Sequence, residues 1–69
     1  MEAYMMTELQ KRIVILMRDA GIEKEAGLVV ITNLETVEEQ EEMLEFLQQH
    51  PTTTNRQAVM KAKEIIQNN

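Results

Sequence analysis

His50 is the only histidine of this 69-residue chain, and Asp19 is its only aspartate. General acid or base work needs an imidazole oriented by a second polar group. The neighbours Gln49, Pro51 and Thr52 form no such set, so His50 reads as a surface or helix-capping histidine. Cysteine, serine and tryptophan do not occur. Thiol and Ser-type nucleophiles, disulfides and thiolate metal sites are thereby excluded. What remains is carboxylate chemistry. Glu38 with Glu42, and Glu41 with Glu45, are i,i+4 pairs within a block that also holds Glu35 and Glu39. Hard cations take several oxygens from a folded loop or from separate segments, and no alternating Asp pattern with a Gly turn is present. The block therefore reads as a solvated helix face whose acids favour a helix N-terminus, with a partner-facing acidic surface as the alternative. Tyr4 and the threonines suggest no constellation either. The chain is expected to be no enzyme and to use no cofactor or metal.

The apolar inventory is unusual in type. Six methionines stand against one phenylalanine. Methionine fills irregular gaps in cores and also recurs at adaptable binding surfaces. Core filling is the simpler role here, but Met5, Met6 and Met17 also suit a groove for a partner helix. With Leu9, Ile13 and Val30 they make up the expected partner-binding set, on the surplus apolar faces of the first two helices.

Three threonines position the elements that carry these residues. Thr7, Thr36 and Thr54 are each followed three residues later by Gln10, Glu39 and Gln57, just ahead of an apolar-periodic stretch. In that spacing the hydroxyl accepts from the third helical amide while the longer side chain reaches back to the cap. The first helix is predicted over 8–20, with Leu9, Ile13, Leu16, Met17 and Ala20 on one face and Gly21 as its stop. Val14 and Ile15 widen its stripe, so it is expected to touch neighbours on more than one side. A helix over 37–49 gathers Met43, Leu44, Phe46, Leu47 and His50 on one side and ends before Pro51. The last helix, over 55–67, buries Ala58, Val59, Ala62, Ile65 and Ile66, leaving Arg56, Lys61, Lys63 and Glu64 outside.

Residues 22–34 admit two readings. Leu28-Val29-Val30-Ile31-Thr32 between Gly27 and Asn33 has strand composition, and residues 12–17 would be its hairpin partner. Ile22, Ala26, Val29, Val30 and Asn33 instead follow helical spacing. The strand would need a partner, and the only one available would destroy the first helix. A helix is therefore expected, giving an all-α up-down bundle of four short helices; a β-hairpin followed by two helices is the alternative.

Residues 43–59, an apolar helix end, a proline turn and a capped helix, superficially resemble the opening two helices of winged-helix or helix-turn-helix regulators. That likeness implies a DNA-binding regulator acting as a dimer, the alternative function. Such a reader needs a third, recognition helix, and only Asn68 and Asn69 follow the last predicted helix. The net charge of −5 also opposes phosphate affinity, which draws on Lys and Arg. Residues 35–50 hold six Glu and no base, whereas 51–69 carry a net charge of +2. Nucleic acid is not the expected partner.

The longest apolar runs, 13–17 and 28–31, fall far short of the roughly 20 residues that span a bilayer. The acidic start, without a following apolar region, does not read as a signal peptide. A cytoplasmic location is the expectation. A domain of about 60 residues buries only about 60% of its unfolded surface, and small chains without crosslinks or metals commonly close that gap by oligomerising. The sequence thus points to a small interaction or accessory module, completed by a homodimer or by another protein.

Overall fold

A computed structural model describes residues 6–68. Its four helices are α1 (Glu8–Asp19), α2 (Lys24–Asn33), α3 (Val37–Gln49) and α4 (Asn55–Asn68), and the described residues contain no strand. The stretch of strand-like composition is therefore helical. Val30 and Ile31 are buried by other helices rather than by a neighbouring strand, while Leu28 and Val29 stay exposed.

All three threonine boxes close. The Thr7 hydroxyl accepts from the Gln10 amide at 3.1 Å, and Gln10 Oε1 accepts from the Thr7 amide at 2.9 Å. Thr36 and Glu39 repeat this at 3.1 and 3.2 Å, and Thr54 and Gln57 at 3.2 and 3.0 Å. Each pair satisfies amides that the helix itself leaves without partners. Only α2 starts without a side-chain cap. Its entry is held from outside, because the Glu23 amide donates to Asn55 Oδ1 of α4 at 2.8 Å.

The end of α1 explains Gly21. Its φ is +85°, a left-handed conformation that costs L side chains steric energy. From there the Gly21 amide donates to the Arg18 carbonyl and the Ile22 amide to the Met17 carbonyl, each at 3.0 Å. These two bonds are the Schellman pattern. They leave Ile22 buried, outside either helix, at the bend between α1 and α2.

Packing departs from a simple up-down order. In a meander bundle α2 would lie beside α3, and α4 beside α1. Here α1 packs on α2 and α3, and α4 packs on α2 and α3, with no close backbone approach between α2 and α3 or between α1 and α4. Residues 34–36 carry the chain across the core. Leu34 and Thr36 have extended backbone, Leu34 is buried, and Gln40 Nε2 donates to the Leu34 carbonyl at 2.9 Å. The core comprises Ile13 and Met17 of α1, Val30 and Ile31 of α2, Met43 and Leu47 of α3, and Ala58, Ala62 and Ile65 of α4, closed by Ile22 and Leu34. The small Ala58 and Ala62 let α4 come close to its neighbours.

Candidate functional site

The acidic helix resolves into two populations. Glu35, Glu38, Glu41, Glu42 and Glu45 are exposed. Glu39, in the same block, is buried: its carboxylate accepts from the Thr36 amide and, at 2.9 Å, from the Glu35 amide. Among the described residues no three of the His, Cys, Asp and Glu side chains are grouped so as to hold a metal ion.

His50 caps the C-terminus of α3. Its Nδ1 lies 2.9 Å from the Phe46 carbonyl oxygen; a carbonyl only accepts, so the geometry places the proton on Nδ1. The imidazole stacks on the Phe46 ring, with centroids 4.4 Å apart and planes inclined by 25°. Lys61 of α4 stands 5.4 Å from the same ring centroid and 3.3 Å from Glu64 Oε1. These four side chains line a broad, open depression of about 840 Å³. His50 engages the backbone, and Lys61 and Glu64 engage each other. The arrangement fastens the end of α3 to α4.

A second concavity runs between α1 and α2. Met6, Val14, Met17, Ile22, Leu28 and Ile31 form its apolar surface, Arg18, Glu23 and Lys24 stand at its loop end, and its volume is about 570 Å³. That volume lies within the range of about 300–1,000 Å³ typical of binding clefts. The apolar surface extends beyond the groove onto the outer face of α2, where Leu28 is 54% and Val29 48% exposed. Glu25, Leu28, Val29 and Thr32 recur at i, i+3, i+4 and i+7, one stripe of the helix. Opposite that stripe lie the buried Val30, Ile31 and Leu34. So α2 is apolar on two faces, and the described residues cover only one.

The six residues expected to bind a partner fall into different places. Met5 lies outside the described residues. Met6 is half-buried on the groove, and Leu9 is half-buried against the core. Ile13, Met17 and Val30, expected on open faces, are core residues; of these, only Met17 also forms part of the groove wall. The reason is that the most regular apolar stripe of α1 is the one its own neighbours α2 and α3 cover. Leu28 and Val29 carry the open surface instead, beside half-buried Val14, and their signal was the unbroken run 28–31, too apolar for a helix with a single buried face.

No helix is long and apolar enough to cross a membrane, among the described residues. Compared with known protein families, with curated proteins and with solved structures, the chain matches none.

Proposed function

We propose that this chain is a small protein–protein interaction module that docks a short apolar segment of another polypeptide, a second copy of itself included, between α1 and α2. The observation that carries this reading is the apolar groove continuing onto exposed Leu28 and Val29. Contiguous apolar surface of this kind, rimmed by polar groups, marks interaction sites more often than idle surface. Stable complexes bury about 800 Å² per partner, more than two exposed side chains and a groove of this length supply. The fitting partner is therefore a short segment, bound weakly and reversibly.

A photo-reactive benzophenone amino acid in place of Leu28 tests this in living cells, with the same group in place of Glu41 on the acidic face of α3 as control. A discrete adduct with one protein, or with a second copy, from position 28 and not from position 41 is the expected result. Equal, diffuse labelling from both positions would refute the reading. Sedimentation over a concentration series identifies the self-association form, which Leu28→Glu should abolish.

A further inference from the structure

Residues 26–34, Ala-Gly-Leu-Val-Val-Ile-Thr-Asn-Leu, form the longest stretch of the sequence with neither a charge nor a proline. Val29, Val30, Ile31 and Thr32 within it are consecutive β-branched residues. Such side chains lose rotamer freedom in a helix and fit a pleated strand, and Gly27 adds a backbone cost inside α2. The helix therefore holds against the preference of its own residues. Its support is external. Val30 and Ile31 are buried against the other helices. At its entry, where the other three helices have a threonine box, the Glu23 amide depends on Asn55 Oδ1 of α4. As a helix the segment leaves Leu28 and Val29 in water. As a strand it would place Leu28, Val30, Thr32 and Leu34 on one face and Val29, Ile31 and Asn33 on the other, both largely apolar. The described residues of one chain offer no strand to pair with it. A stack of identical strands pairs the backbone groups and covers both faces.

We infer that α2 is a helix-to-strand switch whose partner is the same segment of a second copy. When the entry of α2 comes loose, residues 26–34 extend and pair with their counterparts in other copies. Glu23, Lys24, Glu25 and Glu35 flank the segment, and charges so placed restrain assembly without preventing it. The switch is independent of docking between α1 and α2: docking needs α2 in its place, whereas the switch needs α2 to leave it.

The folded protein, incubated with agitation and followed by thioflavin T fluorescence, infrared absorption and fibre diffraction, tests this. After a lag the parent should form assemblies with the amide I band of intermolecular strands, a reflection near about 4.7 Å and slowed hydrogen exchange over 26–34. Val29→Lys, folded by circular dichroism, should not convert. Ile15→Lys, on α1 at a site 46% exposed against 48% for Val29, should convert like the parent. Asn55→Ala should shorten the lag severalfold, and Gly27→Ala should lengthen it severalfold. Thr36→Ala, which weakens α3 instead, should shorten the lag less than Asn55→Ala when the two are compared at equal unfolded fraction. A parent that stays helical and unassembled overturns the proposal. So does conversion of Val29→Lys at the parent's rate, or a Thr36→Ala lag as short as that of Asn55→Ala. Photo-crosslinking from position 28 reads docking separately: a chain that docks and never converts sinks the switch alone, and one that converts without any discrete adduct sinks the docking reading alone.

Discussion

The two glycines should respond to the same substitution with opposite signs. Gly21 has φ +85°, and a Cβ built there meets nothing within 4 Å. The cost of Gly21→Ala is therefore conformational rather than steric, about 1–2 kcal/mol for an L-residue in the left-handed region. The smaller entropy of the unfolded alanine chain offsets about 0.4–1 kcal/mol of this, leaving a net loss of about 1 kcal/mol. Gly27 lies inside α2, and its added Cβ would meet Met17 Cε at 3.5 Å, an ordinary contact. Alanine in a helix interior is favoured over glycine by about 0.5–1 kcal/mol, so Gly27→Ala should stabilise. For a domain of this size 1 kcal/mol corresponds to about 4–8 °C in Tm. The two variants, identical in chemistry, should thus bracket the parent in urea and thermal unfolding followed by far-UV circular dichroism. Equal shifts, or a destabilised Gly27→Ala, would refute both the Schellman account of the bend and the placement of Gly27 in a helix.

Met43→Ala should be the costliest single truncation in α3, about 2–5 kcal/mol, because Met43 is fully buried where α3 meets the core; equilibrium unfolding measures it. Gln40→Leu removes the donor to the Leu34 carbonyl, and an unsatisfied buried carbonyl costs about 1–3 kcal/mol. Thr36→Ala and Thr54→Ala should each cost about 1 kcal/mol by loss of a cap, whereas Thr52→Ala, outside any box, should lie within about 0.5 kcal/mol of the parent. Random-sequence duplex DNA should show no retardation in a gel shift at physiological ionic strength, since phosphate contacts need clustered bases, and Lys61 is turned to Phe46 and Glu64.

Helix existence was legible because the signals were local. Each threonine box is a contact between residues three apart, and the helix after each forms whatever lies opposite. Gly21 was readable as a stop for the same reason, since a residue without Cβ relieves a backbone constraint within one turn. The stretch 22–34 was harder. Its composition favours a strand, and only the absence of a compatible pairing partner tips the sequence toward a helix. The candidate interface was the least legible part. Periodicity shows that Ile13, Met17 and Val30 are buried, but the chain's own neighbours and a partner bury residues in the same pattern.

From its sequence alone, this protein is committed to three threonine-capped helices, a glycine-made bend, an acidic stretch over 35–45 and no Ser or Cys nucleophile. Tertiary structure decided that α1 and α4 both pack on α2 and α3, and that α2 keeps Leu28 and Val29 outside. The division has a physical origin. Caps and turns are settled by energies acting within a few residues, whereas which apolar face stays uncovered depends on where distant helices come to rest.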